Sequence, residues 1–240
     1  MTYRKGFTMA ELILAIFIFG FMSMSLATIY ATANRHMFQN YRRNIIKTNA
    51  DFAMKVLHNT LSTATRIDRP AYGAADNILA FASNVSQGLQ AANSPGCYRI
   101  SPPDPAAWHY FCVAPDNTPG NAGLNNLYYH TGLIPGGAAG CMAAAPATWN
   151  GTGASGYPAF CGFGGGGTVT LLMQYVVPPL PPRSQFTFSR AAVDGVREVP
   201  SVRISLRSFW VAANRGFAAN QRDVDFSLDS LITINRASLP

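Results

Sequence analysis

The chain has 240 residues, only 12% of them charged, and a formal net charge of +7. That length suits one globular head plus a membrane helix, and no internal repeat is evident. No Walker loop, Rossmann glycine set or G-x-S-x-G elbow occurs in a strand-to-helix setting, so enzyme chemistry has no support here.

The first element is apolar. Arg4 and Lys5 stand directly before Gly6, Phe7 follows, and Glu11 heads a run over residues 12–31 with no charged side chain. A helix rising 1.5 Å per residue crosses the ~30 Å hydrocarbon layer in about 20 residues, so this run predicts a membrane span. A carboxylate at the head of such a span is expensive and is expected to have a task. Arg4 and Lys5 favour a cytoplasmic N-terminus, although Arg35, Arg42, Arg43 and Lys47 follow the span. A secretory signal peptide would have an apolar core of about 7–15 residues with its cut after it, whereas the cut suggested here lies before it. An ordinary signal anchor explains the length but not Gly6, Phe7 and Glu11 together.

These residues closely resemble the processing site of type IV prepilins and type II secretion pseudopilins. The match covers about the first 35 residues, and the rest agrees only in general layout. The resemblance implies cleavage by a prepilin peptidase between Gly6 and Phe7, N-methylation of Phe7, and Glu11 as the assembly carboxylate facing the N-terminal amine of a neighbouring subunit. It implies an inner-membrane precursor, N-in and C-out, which an assembly platform builds into a filament with other pilin or pseudopilin subunits while membrane lipid surrounds the free helix. Gly20 is either the point where the helix loosens on assembly or a site of close helix packing in lipid. Major pilins often have a helix proline, and none occurs here between Phe7 and Arg69. The expected fold is α+β and pilin-like, a long helix packed on an antiparallel sheet. The divisions are a leader over 1–6, a membrane and filament-core helix over 7–34, and an amphipathic second half over 35–69. A variable region over 70–182 and a C-terminal sheet over 183–240 follow.

Beyond the span, Ile45, Ile46, Phe52, Ala53, Val56, Leu57, Leu61 and Ala64 recur at helical spacing. They predict an amphipathic continuation with one stripe on the head, ending near residues 67–70, since the residue before Pro70 disfavours the helical region.

Glycine, proline, alanine and asparagine dominate residues 71–182, which read as a loop-rich elaboration with short strands at 78–82 and 110–113. All four cysteines lie here, Cys97, Cys112, Cys141 and Cys161, and four cysteines allow three pairings. Neighbour pairing, Cys97 with Cys112 and Cys141 with Cys161, would close two loops of similar length. No C-x-x-C occurs, and His109 and His130 have no ligand-like spacing, so disulfides are expected and no metal or cofactor is.

After Gly167 the pattern is strand-like at 168–177, 185–189, 202–206 and 224–234, giving a sheet of about four strands that covers the helix stripe. Asp223, Asp225 and Asp229 lie on one strand face, too spread for calcium, and Arg203 and Arg207 are placed to pair with them across the sheet. The first functional expectation is a minor pilin or pseudopilin. The alternatives are a tip adhesin or DNA-contacting subunit that binds through residues 71–182, and a membrane-anchored domain that never assembles.

Overall fold

The computed structural model describes residues 6, 8–86, 90–91, 94–95, 97–100, 104–119, 121–136, 141–142, 144–149, 157–181, 185–191, 201–210 and 223–234. The chain is α+β: among the described residues it has one helix, α1 (Met9–Leu61), then eleven strands. Of these, β1 (Ala64–Arg69), β2 (Ala75–Asp76) and β3 (Ile78–Ser83) follow the helix, and β4 (Gln90–Ala91) and β5 (Ser94–Pro95) form a separate ribbon. The long strands are β6 (Ala107–Pro115), β7 (Asn125–Leu133) and β8 (Thr168–Val176). The last three are β9 (Phe188–Arg190), β10 (Ser201–Trp210) and β11 (Val224–Thr233). Nine strands make one sheet in the order β1-β3-β6-β7-β8-β10-β9-β2, with β11 also paired to β10.

The helix ends earlier than its periodicity suggested. Ser62 donates its backbone N–H to His58, and the Ser62 and Thr63 hydroxyls bond back to the Asn59 and Thr60 carbonyls, which closes the last turn. Residues 64–69 then run as β1 against β3. Thr65 and Ile67 are β-branched and suit a strand, and the Thr65 hydroxyl, bonded to Ala82 O and to the Val85 N–H, fixes the pairing.

Ile46, Ala50, Ala53, Leu57 and Leu61 are the buried helix residues, and α1 packs on β8, β10 and β11. The predicted stripe is right at Ile46, Ala53, Leu57 and Leu61. Ile45 and Phe52, each one position off that face, are 41% and 53% exposed, while Ala50 was not foreseen. Ala64 is buried too, but as part of β1.

The middle of the chain is not an elaboration on a C-terminal sheet. It supplies the sheet's centre, because β6 and β7 have nine residues each and pair along their whole length. Along β6, Phe111 and the half-buried Val113 join the core under the helix, while Trp108, Tyr110 and Cys112 join a second core on the opposite face. That second core is covered by the glycine- and proline-rich chain, from which Met142, Trp149, Tyr157 and Cys161 reach the sheet. The molecule therefore has three layers: helix, sheet and a strapped coil. Asp68 on β1 fastens the coil, accepting from the Tyr157 hydroxyl at 2.6 Å and the Trp149 backbone N–H at 3.1 Å. Its ion-pair partner Arg66, 2.7 Å away, donates to the Pro146 and Ala147 carbonyls.

The disulfides are Cys97–Cys141 and Cys112–Cys161, which overturns neighbour pairing. Cys112 faces the coil layer from mid-strand, so its partner comes from the coil that crosses it. Cys97 is brought to Cys141 by the bond from the Tyr98 N–H to Met142 O. On the chain-entropy model, loops of 44 and 49 residues contribute about 4 kcal/mol each at 25 °C.

His109 on β6 is wedged among aromatic rings on the helix side. It stacks on Phe81 at 4.9 Å, and its ring nitrogens contact Ser83 Oγ at 3.1 Å and the Tyr129 hydroxyl at 2.8 Å. Burial pushes its pKa from 6.5 down to about 4, so the folded protein holds it neutral.

Two outcomes follow. Non-reducing peptide mapping should give the crosslinked peptides Cys97–Cys141 and Cys112–Cys161, and Cys112→Ala/Cys161→Ala should lower stability to denaturant by about 4 kcal/mol. Because the unfolded chain binds a proton at His109 more readily than the folded one, stability should be full above pH 6.5 and fall as the pH drops towards 4. The His109→Gln variant should show a shallower fall over that window.

Candidate functional site: the uncovered faces of the N-terminal helix

The helix begins with a reciprocal cap. Thr8 is the N-cap, and its hydroxyl oxygen accepts from the Glu11 backbone N–H at 3.4 Å. Glu11 Oε2 in turn accepts from the Thr8 backbone N–H and from the Thr8 hydroxyl, both at 2.9 Å. Two helix-end donors are thereby satisfied by side chains four residues or fewer apart, and a negative charge sits at the positive end of the helix dipole. The T-x-x-E spacing is in the sequence, but the expectations for Glu11 were its cost in lipid and its pairing with a neighbour's amine, not a cap.

Gly6 is exposed, with open space where a Cβ would project. Phe7 and residues 1–5, the rest of the expected cleavage region, lie outside the described residues. The helix runs unbroken through Gly20, and a Cβ there would meet nothing within 4 Å, so the single chain has no need of glycine at that position.

No residue of α1 before Ile46 is buried, and the most apolar 18-residue window, with mean hydropathy 2.4, lies wholly outside the packed head. The helix is long and apolar enough to cross a membrane. Its internal hydroxyls suit that medium, because Ser25, Thr28 and Thr32 donate to the carbonyls of Phe21, Ser25 and Thr28.

The helix is longer than a bilayer core requires. From Met9 to Ile45 it runs roughly 55 Å before its first buried residue, and a bilayer core accounts for only about 30 Å of that. Over the remaining ~25 Å the helix is mostly polar and charged, with Arg35, Arg42 and Arg43, but exposed apolar residues recur among them. Phe38, Tyr41, Ile45 and Phe52 are between 41% and 64% exposed and recur at spacings of three, four and seven, which places them on one face as a seam. At 100° per residue this seam points roughly 130° away from the stripe docked on the sheet. So α1 carries two apolar faces, one covered by the head and one bare.

The junction between helix and sheet is held by Ile46, Trp210 and Val224, with the Arg42 guanidinium 4.1 Å over the Trp210 ring. Nearby on the sheet, Arg207 forks onto Asp225 at 3.0 and 2.7 Å, and Arg203 holds Asp229 at 2.7 Å with Ser205 also donating. The cross-strand pairing expected from the sequence is thus present. These are surface pairs that contribute little to stability, but they engage the Asp225 and Asp229 carboxylates with guanidinium partners.

The four candidate cysteines are all oxidised. His130, with no ligand-like spacing in the sequence, lies within 4.8 Å of the sulfurs of Cys112 and Cys161. Its Nδ1–H donates to Gly166 O at 3.1 Å, and its Nε2 accepts the Gly162 N–H at 3.0 Å. Burial keeps its pKa below the ordinary histidine value, and it clamps the glycine loop onto β7.

Comparison with protein-family models, with curated proteins and with solved structures gives no match. The case for function therefore rests on the helix itself. Replacing Thr8 with Ala should remove the reciprocal cap and speed amide hydrogen exchange in the first turn of α1 roughly fivefold in detergent micelles, leaving the amides of β6 and β7 unchanged.

Proposed function

We propose that this chain is a structural subunit of a helical filament of the type IV pilus or type II secretion pseudopilus class, a minor pilin or pseudopilin. It is made as a precursor anchored N-in and C-out in the cytoplasmic membrane, cut between Gly6 and Phe7, methylated at Phe7 and assembled through α1. The observation that carries this reading is the bare seam of Phe38, Tyr41, Ile45 and Phe52, continuous with a membrane-length apolar run yet beyond its reach. A membrane anchor has no use for an apolar face outside the lipid. A subunit whose helix enters a bundle of other helices does, since apolar area buried there contributes about 25 cal/mol per Å².

The Thr8–Glu11 cap supplies the electrostatic step. In the single chain the Glu11 carboxylate is occupied by its own Thr8. Cleavage frees an α-amine at Phe7, largely cationic at neutral pH. A neighbour's amine offers Glu11 a full opposite charge in place of two dipoles, and in lipid that exchange favours the assembled state. The large coil-strapped head and the absence of proline between Phe7 and Arg69 favour a minor pilin or larger pseudopilin over a major pilin.

The test is made in a host with a working prepilin peptidase. Mass analysis of the native protein should find Phe7 as a methylated N-terminus, and retention of Met1 would reduce the chain to an anchored domain. Glu11→Val should be processed and inserted normally but incorporated into filaments far less. Tyr41→Asp, on the bare seam, should likewise leave the head folded and lower incorporation. Normal incorporation of both variants would overturn the assembly role.

A further inference from the structure

At the back of the sheet, away from α1, Cys112 from β6, His130 from β7 and Cys161 from the coil converge. Cys112 and His130 are fully buried, and Cys161 lies partly open at the edge of the coil layer. We propose that these three side chains form a second, redox-exclusive site: when the Cys112–Cys161 bond is reduced, they bind one soft divalent cation of the zinc type.

Three features of the geometry support it. First, the backbone already has a workable span. The Cα atoms of Cys112 and Cys161 are 5.9 Å apart, and the three donor atoms lie within 4.8 Å of one another. Zinc at about 2.3 Å from sulfur and 2.0 Å from nitrogen needs these atoms to shift by only roughly 1 Å. Second, the imidazole is prepared as a ligand. Its Nδ1–H is committed to the Gly166 carbonyl, the backbone arrangement that fixes the tautomer and orientation of metal-bound histidines, and leaves the Nε2 lone pair free of a proton. Third, the charge balances. Two thiolates and one neutral imidazole around a divalent cation sum to zero, the least costly state to bury.

The chemistry balances with one external dithiol as reductant. A dithiol reductant passes two electrons and two protons to the Cys112–Cys161 bond, which breaks to two thiols while the dithiol becomes a disulfide. The cation then displaces the two thiol protons and takes the Nε2 lone pair, with water completing four-coordination. The Gly162 N–H loses its acceptor in that step. Metal binding therefore frees the Gly162 N–H, while the Nδ1–H bond to Gly166 and the Cys161 ligand still hold the glycine loop that carries the exposed Phe160 and Phe163. Disulfide and metal exclude one another, so the cluster distinguishes oxidised from reduced protein.

The test uses the full chain in detergent with Cys97→Ala and Cys141→Ala, so that one cysteine pair remains. After anaerobic reduction, Co²⁺ titration should give a 1:1 thiolate-to-cobalt charge-transfer absorption that Zn²⁺ displaces, and the oxidised protein should give none. In that background His130→Gln, which keeps a donor and an acceptor for the glycine loop, should weaken cobalt binding about tenfold or more, and Cys161→Ser should abolish the charge-transfer signal. Absence of the signal from reduced protein whose circular dichroism shows a folded sheet would overturn the proposal. So would binding that His130→Gln leaves unchanged.

Discussion

The contact on which the rest of the structure depends is the packing of Ile46, Ala50, Ala53, Leu57 and Leu61 against the antiparallel sheet. Ala50 and Ala53 bring the helix backbone close to β8, β10 and β11, while Leu57 and Leu61 fill the core. Burying Ile46, Leu57 and Leu61 at roughly 1.5–3 kcal/mol each is comparable to the net stability of a small domain. Yet these five residues span barely a third of α1. The described head leaves the apolar length before Ile46 uncovered, and that length is enough to cross a membrane.

Legibility of the sequence followed exposure. The membrane-length run was plain because nothing interrupts it. Strands β10 and β11 were plain because one face meets water, so Arg203, Arg207, Asp225 and Asp229 alternate with apolar residues and even their pairing could be read. Strands β6 and β7 were obscured for the opposite reason. Both of their faces are covered, so Trp108, His109, Tyr110, Phe111 and Cys112 run together without a period of two. The helix end was misplaced because Ala64 and Ile67 happen to continue the helical spacing, while strand pairing with β3, a long-range contact, decided their conformation. Disulfide connectivity was hidden for the same reason: loop length favours neighbours, but the crossing of coil over sheet sets which sulfurs meet.

The coil layer shows how a composition that reads as loop can be demanded by packing. The Trp108 ring lies where a Cβ on Gly132 or Gly167 would be, at 2.6 and 2.5 Å, so a side chain at either position would displace it. Gly167 also has φ +70, which glycine adopts without strain. Trp108 in turn meets Tyr157, whose hydroxyl is bound to Asp68 on β1. Glycine in this region is thus the complement of a large aromatic residue on the sheet, and the coil is fastened by Asp68, His130 and two disulfides as well as by its buried Met142 and Trp149.

The bare seam also constrains how copies of α1 would meet. Arg35, Arg43 and Lys47 flank Phe38, Tyr41 and Ile45, and Asp51 is the first acid after them on the helix. Two such helices side by side in register would set these cations against one another, a repulsion screened only beyond about 8–10 Å. An axial offset brings the basic segment of one helix against the neutral apolar run of the next and moves its N-terminus up along its neighbour. In the proposed filament, that offset would also let the amine of one chain reach the carboxylate of another rather than its own. On that reading the spacing of charges disfavours an in-register parallel pair and suits a staggered array, in which the seam, the membrane-length run and the Thr8–Glu11 cap would find partners together.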